Sequence, residues 1–271
     1  MSILNKFWYL VIVILFMSSC SDDNQSTSNS PLVVEAYLHI NRPFKVTVSN
    51  LTAVTATDVD NLTVTVSNGE ETIFLNSIGD GLYRSNDNIL VKEEGGDYVL
   101  NFMDNNKQVT ALTVVPSRPE NFQLSEYEIE IEPIDFGNGF PPRGGISNER
   151  IELTWENQKK GYYFTYFENL EDEPERINNI QNMTGGAAPT RFFRSEPTQE
   201  SSTEIRYNQF EYYGKYNVIL FHVNADYAGL YKEQENSSSL NLTSPFTNVV
   251  NGLGIFTAIH SDTVVLNVKK P

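Results

Sequence analysis

From Pro31 to the C-terminus the apolar residues recur at every second position rather than every third or fourth, and that period restricts the fold more than any other feature. The runs Leu32 to Ile40, Phe44 to Ser49, Leu62 to Ser67, Glu71 to Leu75, Tyr98 to Phe102 and Val109 to Val115 alternate or are rich in β-branched residues. Turn residues punctuate them: Asn41-Arg42-Pro43, Asn68-Gly69, Gly79-Asp80-Gly81, Gly95-Gly96-Asp97 and Asp104-Asn105-Asn106. Asn68-Gly69 between two alternating runs predicts a tight hairpin. About seven strands in roughly 85 residues is the spacing of an immunoglobulin-like sandwich.

Pro116-Ser117-Arg118-Pro119 is a stiff break and sets a domain boundary, with a first sandwich over residues 31–117 and a second over 118–271. In the second, Glu126, Glu128, Glu130 and Glu132 alternate with Tyr127, Ile129 and Ile131, giving a strand with an acidic face that reads as solvated. A Gly/Pro-rich loop over Phe136 to Gly145 precedes Ile151 to Trp155 and Tyr162 to Phe167, which read as paired strands with an inward Trp. Further strands are expected at Thr190 to Phe193, Thr203 to Tyr207 and Tyr216 to Val223. Ala225 to Gln234 is the one good helix candidate, capped by Asn224 and carrying Tyr227, Leu230 and Tyr231 on one face. Leu253 to Ile259 and Thr263 to Val268 are expected to close the chain as a hairpin. The fold class is therefore all-β: two tandem immunoglobulin/fibronectin-like β-sandwich modules, the second with one short helix inserted.

The N-terminus carries an address. Lys6 precedes the apolar run Phe7 to Met17, which falls short of the roughly 20 residues that span a bilayer but fits a signal-peptide core. The run ends in Met17-Ser18-Ser19-Cys20, which resembles the lipobox of bacterial lipoproteins. Residues 1–19 then form the signal peptide, and Cys20, the chain's only cysteine, carries the lipid. Residues 20–30 are polar and form a flexible tether of about 35 Å when extended. Its start, Ser21-Asp22-Asp23, resembles the surface-export signal of lipoproteins of Bacteroidota; the other reading is an ordinary acidic linker.

Several segments in order are similar to one family: Val33-Val34-Glu35-Ala36-Tyr37, Gly81-Leu82-Tyr83-Arg84, Gly96-Asp97-Tyr98-Val99-Leu100, Leu153-Thr154-Trp155, Tyr162-Tyr163 and Asn251-Gly252-Leu253-Gly254-Ile255-Phe256. Together they resemble the domain-of-unknown-function 4249 (DUF4249) family of outer-membrane lipoproteins of Bacteroidota, whose members tend to be longer. The resemblance implies an envelope lipoprotein often encoded near TonB-dependent receptors, and it implies no reaction and no catalytic residues. The glycines of Gly252-Leu253-Gly254 read physically as a bulge or a close approach of two backbones.

Composition removes several function classes. With 35 Asp+Glu against 19 Lys+Arg and a net charge of -16, the chain lacks the basic footprint of a nucleic-acid binder. Its three His are scattered in sequence, which leaves no Cys/His metal set and no cofactor beyond the lipid on Cys20. His260-Ser261-Asp262 holds triad residue types, but strand neighbours face opposite ways and cannot relay a proton. His39 and His222 read as half-buried strand residues, and Asp262-Thr263-Val264 resembles the short O-glycosylation signal of Bacteroidota. No catalytic residue is assigned.

Binding is the better expectation. In Tyr162 to Phe167 alternation puts rings on both faces, one set in the core and the other either covered by helix and loops or exposed to stack on a sugar or a partner protein. Arg191-Phe192-Phe193-Arg194 joins Arg to aromatics as interface anchors do; the other reading is a plain strand whose arginines reach out to solvent. The sequence thus points to a surface lipoprotein in the outer membrane, binding ligand beside a TonB-dependent receptor without catalysis. A structural component of the envelope and a polysaccharide hydrolase remain the alternatives.

Overall fold

The computed structural model of the protein describes residues 31–51, 58–92, 96–133, 148–177, 190–236 and 246–271. Cys20, Ser21, Asp22 and Asp23, with the rest of the N-terminal segment and the Gly/Pro-rich loop at 136–145, lie outside the described residues.

The first half of the chain forms β1 (Leu32–His39), β2 (Lys45–Asn50), β3 (Thr65–Ser67), β4 (Thr72–Phe74), β5 (Asn76–Ser77), β6 (Leu82–Arg84), β7 (Asp97–Asp104) and β8 (Lys107–Val114). β1, β2, β6 and β5 lie in one sheet, and β8, β7, β3 and β4 lie in order in the other. The second half forms β9 (Glu120–Leu124), β10 (Glu128–Glu130), β11 (Arg150–Glu156), β12 (Tyr162–Asn169), β13 (Phe192–Arg194), β14 (Ser202–Arg206) and β15 (Gly214–Val223). Helix α1 (Ala225–Asn236) and strands β16 (Val249–Val250) and β17 (Leu253–Lys269) end the chain. Here β14, β11 and β9 face β13, β12, β15 and β17. Each half thus splits its strands between two sheets, β1, β2, β5 and β6 against β3, β4, β7 and β8 in the first and β9, β11 and β14 against β12, β13, β15 and β17 in the second. That two-sheet division is the architecture of an immunoglobulin/fibronectin-type sandwich. Among the described residues the chain is all-β apart from helix α1 and one short 3-10 turn.

Alternation decides which residues fill each sandwich. β1 buries Leu32, Val34, Ala36 and Leu38, and β7 buries Tyr98, Leu100 and Phe102, all in the first core. The second core holds Trp155, Phe167, Phe210, Tyr216, Val218 and Leu220. At about 25 cal/mol per Å2 of apolar area, each large side chain fully buried in these clusters contributes about 2 kcal/mol. The Asn68-Gly69 hairpin forms as expected: Ser67 faces Thr72, Gly69 takes φ +87°, and the Asn68 side chain accepts from the amides of Glu70 and Glu71.

The expected closing hairpin does not form. Leu253 to Lys269 is a single strand of 17 residues, about 55 Å long. His260-Ser261-Asp262 continues the pairing with β15, because no glycine or proline there would turn the chain. The first half of β17 runs parallel to β1, and its second half pairs with β15 and β10. One nine-stranded sheet therefore passes through both sandwiches. Val249, Phe256 and Ala258, from the end of the chain, complete the core of the first.

Candidate functional site

Residues opposite each other on neighbouring strands share a face, so the pairing registers sort the aromatic residues without ambiguity. Phe164 faces Phe221, Tyr166 faces Arg194, Glu168 faces Phe192, and His39 and Val223 both face Ile259. These lie on the outer face of the long sheet. Tyr163, Phe167, Val218 and Leu220 alternate with them and point into the second core.

The outer rings form a connected surface. Phe164 stacks on Phe221 at 4.8 Å and on Tyr227 of α1 at 5.4 Å. Tyr166 stacks on Phe192 at 5.8 Å and meets Phe221 edge-on at 6.4 Å. Tyr37 meets Tyr227 edge-on at 6.0 Å, and His39 meets Phe221 at 6.4 Å. The helix covers Phe164, which is buried, while Tyr37, Tyr162, Tyr166, Phe221 and Tyr227 keep partial exposure and Phe192 is 53% exposed. Arg194 crosses the rim. Its guanidinium lies 5.0 Å from the centre of the Tyr231 ring and donates to the Tyr227 hydroxyl at 3.4 Å.

Three hydroxyls of this surface, those of Tyr37, Tyr166 and Tyr227, are held protonated. Burial pushes Tyr37 up to about 12, and the neighbouring Glu35 carboxylate adds to the effect. Burial also raises Tyr166 and Tyr227, with Arg194 opposing the rise in both. Such rings present flat apolar faces with fixed O–H donors, which suits stacking on a ring-shaped or apolar partner.

The four residues Arg191 to Arg194 divide. Phe192 and Arg194 belong to the outer surface. Phe193 does not: it faces Phe167 across the pair and stacks on it at 4.4 Å, as an inner-face residue of an alternating strand must. Arg191 precedes β13 and is exposed. The helix begins where expected, and the Asn224 carbonyl accepts the first helical amides. The Asn224 side-chain amide instead donates to Val114 O at 2.9 Å and Thr113 Oγ1 at 3.0 Å, tying the two sandwiches together.

Sequence reasoning missed that the three histidines, scattered along the chain, gather at the junction. His222 lies directly opposite His260, and each donates its Nδ1–H to a linker carbonyl, Ser117 at 2.7 Å and Pro116 at 3.3 Å. A carbonyl can only accept, which fixes those tautomers. His260 and Ser261 face opposite sides of β17, and Asp262 is held by Arg118 at 2.9 Å, so no triad forms. The acidic strand also reads as expected: Ile129 is buried, while Glu128 pairs with Lys269 at 2.6 Å on the exposed face. Among the described residues there is no group of three side chains suited to a metal, and no helix long and apolar enough to cross a membrane.

Comparison with known proteins yields one family. The family model described as a domain of unknown function, DUF4249, matches residues 21–264. No curated protein sequence matches. Among solved structures, the chain is similar to the FN1-FN3 domains of chicken CNTN1, at 11% identity and a TM-score of 0.28, covering 88% of this chain and 64% of that one. It is also similar to domains A168-A170 of titin, at 11% identity and a TM-score of 0.23, covering 88% and 67%.

Proposed function

The chain belongs to the DUF4249 family, and from that premise we propose that it is a lipid-anchored, non-enzymatic binding protein of the outer membrane. It acts at the cell surface beside a TonB-dependent receptor. Cys20 is the lipidated residue, and Ser21-Asp22-Asp23 directs the chain outward. The observation that carries the binding role is the connected aromatic surface on the outer sheet face, with Phe192 and Tyr166 accessible and Arg194 at its rim. A continuous sheet through both sandwiches makes that surface rigid, so little ordering entropy opposes docking.

The test is affinity isolation of the tagged protein from intact membranes after mild cross-linking. Recovery of a TonB-dependent receptor with the native chain supports the reading. Its consistent recovery alone contradicts it.

A further inference from the structure

A second site lies at the junction of the sandwiches, adjoining the stacking surface at His39. β1 leaves β17 after the pair His39–Ile259, and β10 joins that edge only at Asn267. The departure opens a notch in the sheet, a cavity of about 630 Å3 lined by His39, Asn41, Arg42, Arg118, His260 and Ser261 among others. None of its lining residues is an Asp or Glu, although the chain has 35 of them against 19 Lys+Arg. The placement of charge there runs against the composition of the whole molecule.

The two arginines differ in how they are held. Asp262 fixes Arg118 at 2.9 Å from outside the lining, so its guanidinium is oriented before anything binds. Arg42 has no carboxylate partner among the described residues, and its charge, after burial, is what holds the His39 imidazole below its ordinary range. Two guanidiniums, the Asn41 amide and the Ser261 hydroxyl supply donors of the kind that grip planar or tetrahedral oxyanions.

We propose that this cavity is a binding site for the carboxylate or phosphate group of a small organic molecule. The volume exceeds that of a bare oxyanion and suits one sugar-sized body attached to it. Bound negative charge would be met chiefly by Arg42 and Arg118, while His39 and His260 line the walls.

The experiment is titration of the whole mature chain with glucose 6-phosphate, glucuronate and glucose, followed by calorimetry and by the imidazole resonances of His39 and His260. Saturable binding of the phosphate, the carboxylate or both, with none for glucose, supports the site and tells which oxyanion it takes. Arg42→Ala should then weaken binding about tenfold while leaving the thermal midpoint in place, since the Arg42 side chain is exposed. Arg42→Lys should recover part of the loss. Failure of both anions to bind, equal binding of glucose, or affinity unchanged by Arg42→Ala overturns the proposal. These outcomes are independent of the aromatic surface, which Phe192→Ser tests separately.

Discussion

A β-carbon on Gly254 would sit 2.0 Å from the carbonyl oxygen of Val34, so the parallel pairing of β17 with β1 closes only because Gly254 has no side chain. Gly254 also takes φ +97°, which side-chain-bearing residues rarely adopt. Gly254→Ala should therefore part the two strands locally and cost about 3 kcal/mol. Urea denaturation measures it: a lowered midpoint is expected, whereas an unchanged one would mean that the strands do not approach so closely.

Phe192 and Phe193 are adjacent and should behave oppositely. Phe193 lies between Phe167 at 4.4 Å and Phe210 at 5.4 Å, so Phe193→Ala should destabilise by about 2 kcal/mol. Phe192 is 53% exposed, and Phe192→Ser should stay within about 0.5 kcal/mol of the native chain. Equal losses in the two variants would refute the face assignment.

The junction should weaken in acid. Burial, the largest cause, together with the nearby His260 and Lys159, holds the His222 pKa below its usual 6.5, while its bond to Ser117 opposes the shift. The unfolded chain therefore takes up the proton at a higher pH than the folded one. Stability is full above pH 6.5 and falls as pH drops below it toward the folded-state pKa. His39, also lowered by burial, adds to the same trend. Denaturation midpoints between pH 8 and pH 5 (about this range brackets an ordinary His) should decline in the native chain and decline less in His222→Gln. A flat profile would contradict the lowered pKa of the partly buried His222 imidazole.

Asn224 should couple the sandwiches. Its amide reaches Thr113 and Val114 on one side, and its carbonyl starts α1 on the other. Asn224→Ala should cost about 1 kcal/mol by removing the donor to Val114 O, while Thr113 Oγ1 keeps the amide of Ala258. Hydrogen exchange at β8 and α1 should rise together; a rise confined to α1 would argue against coupling.

Much of the fold is legible in the chain because a half-buried strand must alternate. The runs at residues 32–40, 98–102 and 162–167 give β1, β7 and β12 for that reason. The same rule anticipates that the aromatic residues of β12 split between core and surface, but not which of Phe192 and Phe193 faces outward. That depends on the register with Glu168 and Phe167, a long-range fact. The merging of the two sandwiches is likewise invisible locally. The polar stretch His260-Ser261-Asp262 resembles a turn, yet its pairing with Leu220 to His222 keeps it extended. The clustered histidines come from three distant strands, and no spacing rule could have joined them.

The proposed docking of the outer aromatic face on a TonB-dependent receptor is open to measurement in cells. Its most direct test is quantitative cross-linking in intact cells, comparing the native chain with a Tyr166→Ser, Phe192→Ser variant of matched stability. A receptor barrel should be captured by the native chain and lost from the variant. Equal capture by both, or capture by neither, would contradict it.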